Sequence, residues 1–307
     1  MKTRPSFLLH LVLILGFSNT LVAQDLLNAL EKELPQDPNY VQATFKTTRL
    51  ALGHSVETRK QGTMEISANT RFWNIPQSET QAFLADRVST RFGVSYAFSD
   101  RFTLGTGVTT FDGIFDGYAK YKLFKQVDKG KGSPFTVTLL QNASVRTSGR
   151  PGRNFNNDTN FSDKLAFTSQ VLIARKFTRN FSMQISPTYI HRNSTRFAED
   201  PTDHFAVGIG GRYRVGGHVS ISSEYYYLAN PVESITTYDA FAIGVNWELT
   251  DLMLQFHLSN ALHISEDAFI TQNRVNFNTK DGNLFFGFNA TFLLHFKNQL
   301  KKQILKR

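Results

Sequence analysis

The sequence predicts an all-β protein, a membrane-spanning antiparallel up-and-down barrel of about twelve strands. Three observations predict it. Between Met64 and Phe296 runs of roughly ten alternately apolar and polar residues recur about a dozen times. The connections between these runs alternate between tight turns and long polar loops. Beyond the N-terminal leader no stretch reaches the ~20 apolar residues that a membrane helix needs, so any crossing of a bilayer is made by strands.

Taken in order, the chain opens with Lys2 and Arg4, an apolar run from Phe7 to Phe17, and small Ala23 before Gln24. This is the layout of a cleaved secretory signal peptide over residues 1–23, and it predicts export. The chain contains no cysteine, which excludes a disulfide framework and a lipid anchor on a processed Cys. Residues 24–61 are expected to form a periplasmic N-terminal segment with a short helix, because Leu26, Leu27, Leu30 and Leu34 fall at helical spacing before Pro35. Thr44 to Leu52 weakly allows a strand. Counting it would put the short turns on the wrong side of the membrane, so the stretch is read as periplasmic or lumen-entering.

Residues 62–296 carry the barrel, with strands expected near 63–73, 87–98, 101–110, 115–124, 135–147, 164–177, 180–192, 204–215, 218–228, 238–249, 252–262 and 283–296. The second of these is the clearest. Val88, Thr90, Phe92, Val94, Tyr96 and Phe98 fall on one face and Ser89, Arg91, Gly93, Ser95 and Ala97 on the other. A slip of one residue would carry Arg91 into the medium around Phe92. The same division sets Phe181, Met183, Ile185 and Tyr189 against Ser182, Gln184, Ser186 and Thr188, and Phe241, Ile243, Val245 and Trp247 against Ala242, Gly244, Asn246 and Glu248. Ser99–Asp100, Thr178–Arg179, Gly216–Gly217 and Thr250–Asp251 are tight turns, while Asn74–Asp86, Ser148–Asp163, Asn193–Asp203, Ala229–Thr237 and His263–Gly282 are long loops. Short periplasmic turns, long outer loops and periplasmic termini follow. Phe98, Phe102, Phe177, Phe181 and Trp247 near the short turns, with Phe72 and Tyr189 near the other ends, predict two aromatic girdles. Gly208-Ile209-Gly210-Gly211 is read as strand bends that relieve crowding. Residues 297–307 form a basic tail, either solvated or lying against anionic headgroups.

Thr44-Phe45-Lys46-Thr47-Thr48-Arg49-Leu50-Ala51-Leu52-Gly53-His54-Ser55-Val56-Glu57-Thr58 before Gly62-Thr63-Met64-Glu65, Phe111-Asp112 through Asp116-Gly117-Tyr118-Ala119-Lys120-Tyr121-Lys122-Leu123, and Gln255-Phe256-His257-Leu258-Ser259-Asn260 together resemble the outer-membrane β-barrel family catalogued as domain of unknown function 5777. The resemblance spans about Phe45 to Phe296. It implies a barrel in a Gram-negative outer membrane and no reaction, since that family has no assigned activity. The chain departs from it at Trp247 to Asp251, where a Gly-rich turn is expected.

Function is sought in the interior. The alternation assigns Arg71, Arg91, Lys120, Lys122, Arg146, Arg192, Arg212 and Arg214 to the lumen against Glu65, Asp116, Glu224 and Glu248. These charges either pair across the barrel or line a narrow, weakly anion-preferring, porin-like channel. The leading expectation is therefore a non-enzymatic outer-membrane barrel, channel or structural, whose partners are outer-membrane lipids and small anionic solutes. The net charge of +9 includes the leader and the tail and is not read as nucleic-acid binding.

The rival expectation is a hydrolase. His257-Leu258-Ser259-Asn260 is similar to the His-x-Ser-Asn motif of outer-membrane phospholipase A, with His257 as base and Ser259 as nucleophile. Against it, Ala261 stands where that motif has Gly, and the parity of Phe256 and Leu258 turns His257 and Ser259 inward. The Asp112-Gly113 and Asp116-Gly117 pairs are read as turn chemistry rather than a calcium loop. The remaining histidines show no metal spacing, and no phosphate loop or dinucleotide fingerprint is present, so no cofactor is expected.

Overall fold

A computed structural model describes residues 39–74, 85–111, 113–129, 131–147, 160–195, 197, 199–277 and 284–296. The signal peptide expected over 1–23, the helix expected over 25–34 and the basic tail lie outside these residues. Two units are distinct. In the smaller one, Asn39–Tyr40 pairs antiparallel with Val127–Lys129.

The larger unit is a closed antiparallel barrel of twelve strands. They are β1 (Thr63–Trp73), β2 (Arg87–Ala97), β3 (Phe102–Thr109), β4 (Ile114–Phe124), β5 (Thr136–Arg146), β6 (Leu165–Lys176), β7 (Phe181–Arg192), β8 (Asp203–Arg214), β9 (Val219–Leu228), β10 (Ala240–Glu248), β11 (Leu252–Ser259) and β12 (Phe285–His295). Each pairs with its neighbours in sequence. β12 closes on β1 with Asn289 opposite Asn69, so no edge is left to seek a partner in hydrocarbon. Thr44–Leu52 joins none of these ladders.

The period-2 pattern gives the barrel its two faces. Phe92, Ile185 and Val245 are 55%, 47% and 43% exposed on the outside, whereas Arg91 is 2% exposed inside. A soluble barrel would have the reverse arrangement. Outer aromatic pairs gather toward the strand ends: Phe98 with Phe102 at 6.1 Å and Phe177 with Phe181 at 5.9 Å beside short turns, and Phe72 with Phe286 at 5.8 Å and Tyr189 with Phe205 at 5.3 Å at the other mouth.

Local details differ from the sequence reading. The β3–β4 connection on the long-loop side is itself tight, turning through Gly113 at φ 58°, a left-handed conformation suited to glycine. Asp116-Gly117 is no turn but lies inside β4, because the Asp116 carboxylate is claimed by Arg91 across the wall. The β6–β7 ladder skips Val171 and Leu172 opposite Ser186 and Pro187, since Pro187 has no N–H to offer. A short helix, α1 (Glu266–Thr271), sits in the long β11–β12 connection, and all of its residues are buried.

Candidate functional site

The expected aqueous centre is occupied by the chain itself. Of the segment read as periplasmic, residues 44–56 are almost entirely buried, folded as a hairpin that enters beside the short turns. Thr58 Oγ1 donates to Asp100 O (2.7 Å) and the Gln61 N–H to Asp100 Oδ1 (2.8 Å), fixing the entry point. The hairpin closes through Ser55 N–H to Thr48 O (2.9 Å) and Leu50 N–H to Gly53 O (3.0 Å). Of the two readings of Thr44–Leu52, periplasmic or lumen-entering, the structure agrees with the second, for a physical reason. Its turn leaves backbone groups unpaired, and the polar inner wall satisfies them.

The wall does so from many strands. Glu224 on β9 accepts the N–H groups of Leu52 (2.9 Å), Gly53 (3.0 Å) and Ala51 (3.2 Å). Lys120 on β4 donates to Ser55 O (2.8 Å), Thr48 O (3.0 Å) and Glu57 O (3.0 Å). Gln184 on β7 both accepts from Val56 N–H and donates to His54 O, each at 2.8 Å. Thr138 Oγ1 donates to Val56 O (2.7 Å), Asn289 Nδ2 to Ala51 O (3.1 Å) and Gln255 Nε2 to Leu50 O. Gly210 leaves the space into which Leu50 projects, so this part of the glycine run makes room for the hairpin.

From the other mouth α1 descends to meet the tip. Glu266 pairs with Arg49 (2.8 Å) and accepts Asn142 Nδ2 (3.1 Å), and Asp267 pairs with Arg192 (3.1 Å). Ala51 and Leu52 join Tyr226, Phe269 and Ile270 in one apolar cluster, with the Tyr226 and Phe269 rings 5.1 Å apart, while Phe45, Leu50 and Val56 join Leu140, Leu172 and Ala174 in another. His54, on the hairpin, lies against Tyr118 with ring centroids 4.5 Å apart. Burial, with Arg49, Lys120 and Arg91 nearby, holds its imidazole well below the usual histidine range.

The charges assigned from sequence are placed as follows. Arg91 forms a two-point pair with Asp116 (2.7 and 2.5 Å), Lys122 reaches Glu57 (3.0 Å), Arg212 meets Glu248, and Glu65 accepts from Arg59 (2.6 Å) and Thr48 (2.5 Å). Arg71 rests on Asn289 Oδ1 (3.0 Å) and Ala51 O (3.3 Å). Arg146 donates to Gln272 Oε1 (3.2 Å), and Arg214 caps the β8–β9 turn through Gly216 O and Gly217 O. The inserts contribute Glu57, Glu266 and Asp267 against Arg49 as buried charges, which offsets the basic excess of the wall.

The hairpin residues were quoted only as a family motif and as a periplasmic or lumen-entering stretch, and those of α1 only as part of the long loop His263–Gly282, so neither was given a contact. Their trace in the sequence is Leu140 and Leu172, apolar residues at inward parity.

The hydrolase constellation does not assemble. Ser259 Oγ donates to Phe241 O (2.8 Å) and accepts Ala261 N–H (2.9 Å), while both ring nitrogens of His257 lack a hydrogen-bond partner. Both side chains are buried inside the barrel rather than facing lipid. Asp112 lies outside the described residues, and among those described no cluster of three potential metal ligands occurs.

Residues 45–294 match the family described as a membrane bound beta barrel domain, DUF5777. The chain belongs to that family. No curated protein matches this DUF5777 chain. Among solved structures it is similar to the KdgM porin (8% identity, TM-score 0.45, covering 76% of this chain and 99% of that one). It is also similar to an outer membrane channel from Pseudomonas putida F1 (13%, 0.42, 78% and 98%) and to the CymD monoaromatic hydrocarbon channel (10%, 0.37, 77% and 90%).

Proposed function

We propose that this protein is a non-enzymatic outer-membrane conduit held shut by its own N-terminal hairpin, with the short turns and the hairpin entry on the periplasmic side. The supporting observation is that the hairpin is gripped chiefly through its backbone by polar wall groups. Gln184, Thr138, Gln255 and Asn289 serve equally well when hydrated, so the wall behind the hairpin suits water. A permanent filling gains nothing from so many buried polar contacts, since apolar packing of similar volume is as stable or more so.

Withdrawal of the hairpin uncovers Arg71, Lys120 and Lys122 against Glu65, Glu224 and, because Arg49 leaves with the hairpin, Glu266, while Arg91 keeps Asp116 and Arg212 keeps Glu248. The open form therefore carries small solutes with little preference for either sign of charge.

Planar-bilayer recording of the refolded full chain tests this. Wild type is expected to stay mostly closed, and Lys120→Ala/Glu224→Ala to open frequently, with a reversal potential close to zero in a salt gradient. A cysteine placed by Ser55→Cys, the only one in the chain, reports hairpin release through maleimide labelling. Labelling without conductance in the double variant overturns the conduit reading.

A further inference from the structure

On the outer wall of the barrel, around the seam between β6 and β7, lies an apolar groove of about 710 Å³ that the conduit reading does not use. Leu139, Val171, Pro187, Tyr189 and Val207 line it, and two polar side chains on its floor, Gln141 and Ser169, are bonded to each other (2.6 Å). Pro187 is the one proline within the twelve strands, and the ladder bond it cannot donate is missing at this seam. Parting two strands in hydrocarbon leaves each unpaired backbone group at a cost of several kcal/mol, so this wall parts most readily where a bond is already absent.

The same place has a lumen face. Val171 lines the groove, and the next residue, Leu172, points inward, where it packs with Leu140 and Ala174 against Phe45, Leu50 and Val56 of the hairpin. An apolar strip on the inside of β5 and β6 thus ends at the gap in the ladder. Cations stand beside it: Lys120 is opposite Leu140 in the β4–β5 register, and Lys122 is opposite Thr138, which in turn faces Leu172. When the hairpin withdraws, the strip loses its cover, Lys120 loses three carbonyl oxygens and Lys122 loses Glu57. What is uncovered is a pair of ammonium groups next to an oily track that runs to the weakest point of the seam.

We propose that the β6–β7 seam is a side exit through which a single-chain carboxylate amphiphile, of fatty-acid type, passes between the lumen and the membrane. This rests on the hairpin withdrawal that the conduit reading requires. The carboxylate is held by Lys120 and Lys122, the tail lies over Leu140 and Leu172, and its end passes the gap at Pro187 into the outer groove. The head follows past Gln141 and Ser169, polar groups on a wall that faces hydrocarbon. A neutral hydrocarbon has no partner for the two lysines, and a small hydrophilic anion makes no use of the strip.

Photolabelling of the full chain in lipid nanodiscs decides it, with palmitate carrying a diazirine near its chain end as probe and mass spectrometry to map the labelled residues. In the parent, labelling is expected in the outer groove only; in Glu224→Ala, which frees the hairpin, Leu140 and Leu172 are labelled too. In that background Ile173→Cys/Ile185→Cys, an outward pair directly opposite across the seam in a chain without other cysteines, ties β6 to β7 when oxidised and leaves Pro187 in place. Oxidation is expected to slow lumen labelling at least roughly tenfold, and reduction to restore it. Pro187→Ala, which returns the missing N–H, slows it in the same direction, and Lys120→Gln weakens it by removing the carboxylate's partner. Slower gel migration after boiling shows that each variant is folded. Absence of lumen labelling in Glu224→Ala, or labelling indifferent to the disulfide, overturns the proposal. Ion conductance of Glu224→Ala separates the two readings: conductance with labelling indifferent to the disulfide sinks the side exit alone, whereas disulfide-sensitive labelling without conductance sinks the conduit.

Discussion

Lys120 and Glu224 hold opposite poles of one hairpin from walls five strands apart: the ammonium takes three carbonyl oxygens of its stem, and the carboxylate takes three N–H groups of its tip. A short turn presents its unpaired carbonyls and amides in different directions, and one cation and one anion read that polarity. Reversing the hairpin would set like against like.

Glu224→Ala is expected to release the tip, because three buried N–H groups lose their acceptor at about 1–3 kcal/mol each. In a Ser55→Cys background, maleimide labelling, expected to be slow in the parent, rises at least about tenfold. Unchanged labelling would show that the tip is held by its apolar contacts alone.

Gly53 is where the backbone passes closest to Tyr226; a Cβ there would run into the Tyr226 hydroxyl and lie 2.9 Å from Cζ. Gly53→Ala should therefore loosen the hairpin by about 1–3 kcal/mol, and Tyr226→Ala in the same chain should restore part of the loss. Labelling of the Ser55→Cys reporter across the four combinations measures the coupling.

His54 gives the closed state a pH dependence. Its imidazole is neutral when docked because burial and the neighbouring cations depress its pKa, and the released hairpin recovers the ordinary value near 6.5. The released form then binds the proton better, so the His54 contribution to closure is fully present above about pH 6.5 and weakens as pH falls below it toward the depressed value. Glu266, 3.5 Å from His54 Nε2, is already paired with Arg49 and does not reverse the sign. Open probability in bilayers should rise on acidification, and His54→Gln should flatten that rise.

Arg91 and Asp116 are a buried two-point pair in the wall, clear of the hairpin's own bonds. Asp116→Asn should cost about 3–5 kcal/mol by leaving the guanidinium unpaired, and Asp116→Asn with Arg91→Met should recover most of it. The temperature at which the folded band is lost on gels reports the order of the three proteins.

Ser259→Ala should leave phospholipid release at the level of a no-protein control in both parent and variant, since Ser259 Oγ is bound to the wall and not to His257. Serine-dependent release would restore the hydrolase reading.

Strand number, register parity and the direction of each side chain were legible in the sequence because alternation is a local property and a bilayer outside with polar groups inside leaves one consistent assignment. Arg91 and Phe92 face where their parity says. The turn at Gly113 was legible too, whereas the absorption of Asp116-Gly117 into β4 was misread because turn chemistry is also compatible with a strand when a partner such as Arg91 claims the Asp.

The contents of the barrel were decided only in three dimensions. Thr48 meets Lys120, Leu52 meets Glu224 and Arg49 meets Glu266 across long stretches of chain, and hydrogen bonds between groups so distant leave no periodicity to read. By itself the sequence determined a closed wall with an oily exterior, because each residue's side of the sheet follows from its neighbours. Closure of the ring decided that the space inside is filled by residues 44–57 and α1, because only then do unpaired backbone groups and the inward Leu140 and Leu172 find their partners.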